Sequence, residues 1–247
     1  MKLLFILIAF PLLFAGFVNG YASPKLCTVP GGSKINLAGK DDLWAPDVHK
    51  VGDYYHLYCS CRCYERSTKK YNAIDPNLFQ VGSQYFLNFG SYWQDIYQVK
   101  MKSTPTKTAG EVAYQMAFTS NYEVVDAPSM FTYNGYYYLF FSKGSCCGYD
   151  KTRPAKGKEY RILVCRSKHA TYGFVDKSGN DCRNNGGTVV VESHDYVYGP
   201  GGQGIYNDPK YGPVLYYHYV DTRIGYADGD KKFGWNQLDF SSGWPTV

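Results

Sequence analysis

"VVDAPSMFTYNGYYYLFFS", residues 124–142, decides the fold of this chain. An acid, Asp126, stands two residues ahead of Pro128, and an almost unbroken aromatic run follows Asn134-Gly135. Asn-Gly between two apolar runs is a strong hairpin signal, because both central residues of the tight turn need positive φ. The stretch therefore reads as two antiparallel strands with a carboxylate at the head of the first.

Three more stretches share this grammar: "LWAPDVHKVGDYYHLYCS" (43–60), "AIDPNLFQVGSQYFLNFGS" (73–91) and "YGPGGQGIYNDPKYGPVLYYHYV" (198–220). Each runs from a turn with Pro, usually with Asp, through an apolar strand and a Gly-containing turn to an aromatic strand. Val51-Gly52-Asp53 and Val81-Gly82-Ser83 occupy the slot of Asn134-Gly135. No segment sustains helical periodicity. Repeated hairpins with strand-rich spacers imply a β-propeller, whose blades are four-stranded sheets of about 40–50 residues. Pro76 to Pro128 and Pro128 to Pro200 each leave room for a blade, whereas Pro46 to Pro76 does not. A β-sandwich, the competing all-β fold, would not require an acid–proline head on each hairpin. The expectation is an all-β propeller with four recognisable blades, one of them shortened.

In a propeller the heads of the innermost strands point at the central channel. Asp47, Asp75 and Asp126 are thus expected to converge on one depression, because they stand at equivalent heads of the repeat. Any one of them alone reads as an Asx-turn before a strand. His218, read alone, is more often a hydrogen-bonded core histidine.

The chain has 247 residues and a formal charge of +5, with 26 tyrosines and 18% aromatic residues. After Met1 and Lys2, residues 3–18 are apolar, and small residues precede Tyr21. That is the pattern of a signal peptide over residues 1–20, and it implies a secreted, extracellular protein. Residues 21–247 suit one domain. The charge is mild and without a Lys/Arg run, which argues against nucleic acid and membrane surfaces as partners. A monomer is expected. Eight cysteines in a secreted chain suggest disulfides rather than metal. Cys165 and Cys182 flank a hairpin and are expected partners, while the adjacent Cys146 and Cys147 are expected to pair elsewhere, with Cys59, Cys61 and Cys63 as candidates.

At these same residues the chain resembles glycoside hydrolase family 43, and within it the fungal endo-1,5-α-L-arabinanases. The matching stretches are "DLWAPDVH", "YNAIDPNLF", "YLNFGSYWQDIYQV", "GYYYLFFSKGSCCGYD", "VYGPGGQGIYNDP", "YYHYVD" and "GWNQLDFSSGWPTV". They run in the family's order from about residue 33 to the C-terminus. The resemblance implies a five-bladed propeller that hydrolyses arabinan, the α-1,5-linked side chain of plant cell-wall pectin, with inversion. It places an acid-tuning aspartate at Asp75, nearer to Asp126 than Asp47 is, and the general acid at Asp126. His218 matches a histidine associated with calcium. Asp47, Trp44, Asn72, Tyr92 and Trp93 become substrate-binding candidates, the aromatic ones by stacking on furanose rings, although blade packing explains each ring equally well.

Three departures from the family stand out. The opening blade with the base aspartate has no counterpart, the stretch between Ser60 and Tyr71 is short, and Asp126 stands where the family carries Glu. These lead to an expectation of attenuated turnover by a secreted arabinan hydrolase, with the base unknown. A non-catalytic arabinan- or oligosaccharide-binding relative is the second class.

Overall fold

The computed structural model describes residues 43–61, 71–110, 113–121 and 123–247. The expected signal peptide and Cys63 lie outside the described residues. Within them the chain forms thirteen strands and one 3₁₀ turn, Asp228–Asp230. The first sheet pairs β1 (Leu43–Val51) with β2 (Tyr54–Cys61). The second runs β3 (Asn77–Val81), β4 (Gln84–Phe89), β5 (Ile96–Met101) and β6 (Tyr114–Ala117). The third runs β7 (Val125–Tyr133), β8 (Tyr136–Lys143), β9 (Arg161–Ser167) and β10 (Thr188–Val191). The last holds β11 (Val197–Asp208), β12 (Gly212–Asp221) and β13 (Lys231–Gln237).

Every pairing is antiparallel and sequential, so each sheet is a meander. The first strands of the four sheets meet one another, β1 against β3, β3 against β7 and β7 against β11. That is a propeller of four blades, the first with two strands, among the described residues.

The aromatic run has a simple physical cause. Side chains of a strand alternate between two faces, and an inner blade is covered on both. On β8, Leu139 and Phe141 enter the core shared with the β3–β6 sheet. Tyr138 and Phe140, one step out of phase, enter the core shared with the β11–β13 sheet. Strand β9 repeats the device, with Leu163 and Cys165 on one side and Ile162 and Val164 on the other. A third core, with Leu78, Tyr85, Tyr97 and Val99, joins the β3–β6 sheet to Val51 and Tyr58 of the first.

Cys165 and Cys182 are bonded, as the hairpin spacing implies. Cys146 and Cys147 are bonded to each other, which corrects the expectation that they pair with Cys59, Cys61 or Cys63. The reason lies in the blade order. Cys146 and Cys147 follow β8, and the whole β3–β6 sheet stands between that blade and β2.

The blade heads share a backbone device that the residue pattern does not display. The residue before each head proline is left-handed: Ala45 (φ 42°), Asp75 (54°), Ala127 (50°) and Gly199 (58°). The ladder register shifts at this point on β1, β7 and β11. Left-handed non-glycine residues cost roughly 1–3 kcal/mol each and gather where a bulge re-aims side chains. Three such residues in equivalent places mark this rim as the end of the molecule built for a purpose.

Candidate active site

The bulges aim different offsets from the proline inward. Asp47 follows Pro46, Asp75 precedes Pro76, and Asp126 stands two residues before Pro128. The three acids therefore occupy neighbouring positions of the repeat rather than a single one. Asp75 and Asp126 are brought together. The Oδ2 of Asp75 accepts a hydrogen bond from the Ala127 amide at 3.2 Å, next in chain to Asp126. Asp47 lies one step further round. Its Oδ2 accepts from Leu78 N at 2.7 Å and its Oδ1 from Asn77 Nδ2 at 3.5 Å. Asn77 in turn accepts from Met130 N at 3.0 Å through its Oδ1, tying the first three blade heads in a row.

Asp126 is 8% exposed. Burial and the nearby Asp75 and Asp95 carboxylates raise its pKa well above the ordinary carboxylate range, against hydrogen bonds from Tyr160 and Ser91. Burial pushes Asp75 up to about 6, opposed by the Ala127 amide. Asp47 is pushed up to about 6 by burial as well, opposed by Leu78 N and Asn77. Asp95, buried beside them, is likewise raised to about 6 by burial, opposed by the amides of Thr119 and Val125.

This arrangement fixes the sign of a pH effect on stability. A carboxyl whose folded pKa exceeds its unfolded value near 4 contributes stability that is fully present below pH 4 and is lost as pH rises through about 6. Glu123 acts oppositely. Lys158 and Lys143 hold it down to about 2 against its burial, so its contribution is full above about pH 4.5 and is lost as pH falls from there through about 2. The melting temperature is expected to peak near pH 4–5 and to fall by pH 7, and Asp47→Asn should flatten that fall. A melting temperature that rises from pH 4 to pH 7 would contradict this electrostatic picture.

Tyr92 and Trp93 are 57% and 51% exposed. They sit on the turn between β4 and β5, next in chain to Ser91, which bonds to Asp126. Asn72 is half-buried ahead of Asp75. The backbone of Trp44, on β1, pairs with Ser60 on β2, and its side chain lies outside the described residues.

His218, on β12, is half-buried, lies against Gly202 and stacks on Tyr160 with ring centroids 5.9 Å apart. Burial lowers its pKa to about 4, so the ring is neutral. Its Nδ1 is buried without a hydrogen-bond partner among the described residues. A neutral, orphaned ring nitrogen suits a single contact to a cation or its water. Among the described residues no group of three or more His, Cys, Asp or Glu side chains surrounds a common point, so water and backbone oxygens would supply the rest.

Four contributors are absent from the sequence reading: Tyr160, Ser142, Gln203 and Asp95. Gln203 lies in the quoted fourth repeat, three residues past its proline, so alignment on the prolines offers a signal for it. Tyr160, in "KEYRILV", carries none.

Residues 63–245 match the family described as glycosyl hydrolases family 43. The chain belongs to glycosyl hydrolase family 43. It is 53% identical to arabinan endo-1,5-α-L-arabinosidase A of Aspergillus aculeatus, over 94% of this chain and 82% of that protein. A probable arabinan endo-1,5-α-L-arabinosidase A of Neosartorya fischeri is also 53% identical, over 89% of this chain and 77% of its own length. Among solved structures, native Bacillus subtilis arabinanase Arb43A superposes with a TM-score of 0.70 at 31% identity, covering 83% of this chain and 76% of that one. The family 43 member described here thus shares its β-propeller fold with solved arabinanases.

Proposed function

We propose that this family 43 glycosidase cleaves α-1,5-linked arabinan within the chain, with Asp126 as the proton donor. The observation that carries this reading is the buried Asp126 carboxyl beside Asp75. A glycosidic oxygen leaves only if it is protonated as the bond breaks, so the acid must keep its proton near neutral pH. Burial and a second carboxyl both achieve that. Asp75, held by the Ala127 amide, orients the acid and keeps the pair from ionising together.

Inversion requires another carboxylate roughly 6.5–9.5 Å away to activate water on the opposite side of the bond. Asp47 and Asp95 already accept main-chain amides, from Leu78 and Thr119. We assign the base to neither. Tyr92 and Trp93 offer exposed faces for furanose rings at the rim, with Asp47, Asn72 and Trp44 as further contacts. The protein acts as a secreted monomer, without nucleic-acid or membrane partners. Among the described residues no helix is long and apolar enough to cross a membrane.

The endo reading is tested by chromatography of early products from linear arabinan. A ladder of oligosaccharides is expected, and arabinose alone would replace it with an exo mode. Calcium would be held by His218 through Nδ1 and water, supplying a fixed positive charge near the channel, since a hard cation takes most of its ligands as oxygen. Metal analysis after exhaustive dialysis should find about one calcium per chain, with a lower melting temperature after chelation. No calcium and no shift would remove it.

A further inference from the structure

We propose that Tyr160 is the positioning residue of the acid: its hydroxyl, donated to Oδ1 of Asp126, keeps the acidic proton on Oδ2. The inference deepens the acid reading of Asp126 and rests on it. Tyr160 is buried, and its hydroxyl meets Oδ1 of Asp126. A neutral carboxyl carries one O–H, so the oxygen that accepts the buried phenol is the one left bare, while the Ser91 hydroxyl, which can donate or accept, also bonds to the carboxyl.

Tyr160 has little room to move. One side of its ring is set by the stack on His218. Gly201 also approaches so closely that a Cβ there would lie 2.0 Å from Cδ1 of the ring. The Tyr160 amide donates to the Tyr149 hydroxyl at 3.3 Å, and that hydroxyl donates to the carbonyl of Ser145. The hydroxyl end borders a chain of hydrogen bonds. Ser142 interacts with the Tyr160 hydroxyl and donates to Gln203 Oε1 at 2.6 Å. It accepts from Gly202 N at 2.9 Å. Gln203 Nε2 donates to the Ala127 carbonyl at 2.6 Å, returning to the neighbour of Asp126. Buried polar circuits rigidify when each member is satisfied. This one spans two blades and locks both the acid and its partner.

The experiment is isotope-edited infrared titration of the Asp126 carboxyl on the full chain, with Asp126→Asn to assign the band. Tyr160→Phe keeps the ring and removes the donor, so the titration midpoint should rise by about one unit, a tenfold change in proton affinity. Incorporation of 3-fluorotyrosine at position 160 makes the hydroxyl a better donor, so the midpoint should fall. Opposite shifts support the proposal, because mere packing would not change sign between the two variants. Midpoints that stay put, or that move the same way in both, overturn it. Turnover on linear arabinan provides a separate arm. In Tyr160→Phe, kcat should drop about tenfold with little change in KM, and the falling limb of the pH profile should follow the infrared midpoint. A wild type without turnover would sink the acid reading of Asp126, while the infrared arm still decides whether the Tyr160 hydroxyl donates to the Asp126 carboxyl.

Discussion

Asp126→Asn is expected to cut arabinan hydrolysis by about a hundredfold to ten-thousandfold, the usual worth of a general acid, without unfolding the protein. Asparagine keeps the size and planarity of the side chain, and its Oδ1 still accepts the Tyr160 hydroxyl. It has no proton to give the leaving oxygen. The fold should tolerate the change because the buried aspartate is already driven towards its neutral form by burial and by Asp75. Replacing a buried ionisable group beside Asp75 with a neutral one should leave the melting temperature at pH 7 equal or higher. Rates and melting curves on one preparation check both halves. Turnover above a tenth of wild type would assign the proton to another group, and a large fall in melting temperature would make Asp126 a structural residue.

The second large effect is on stability. Gly201→Ala places a Cβ 2.0 Å from Cδ1 and 2.1 Å from Cε1 of Tyr160. The ring is stacked on His218, and its amide is tied to Tyr149, so it has no easy retreat. Overpacking of this kind costs roughly 1–3 kcal/mol, or about 6–12 °C at the upper end for a chain of this size. Turnover should fall too, because a displaced Tyr160 releases Oδ1 of Asp126. Adding Tyr160→Ala should recover part of the stability, a non-additivity expected only of touching side chains. A melting temperature within one degree of wild type would contradict the packing.

What the residues disclose and what they hide follow the range of the interactions. The hairpins were legible because a glycine turn between apolar runs is a local signal, and the blades because that signal recurs. The Cys165–Cys182 bond follows from its hairpin. The Cys146–Cys147 bond did not, since blade order, not spacing, keeps β2 away from it. The acids were found at the blade heads, but their differing offsets from the prolines depend on left-handed residues such as Ala127 that no propensity announces. Tyr160 was illegible for a plainer reason. It reaches Asp126 directly across 34 residues, a meeting that exists only once the blade is folded.

The most direct test of the account is product release from linear 1,5-arabinan by the unmodified protein between pH 4 and 9. The account predicts release of arabino-oligosaccharides, with a rate that falls as pH rises through the titration of Asp126 and is lost in Asp126→Asn at every pH. No release at any pH, from a protein that nonetheless binds arabino-oligosaccharides, would contradict it and make the chain a binding relative that keeps the groove without the chemistry.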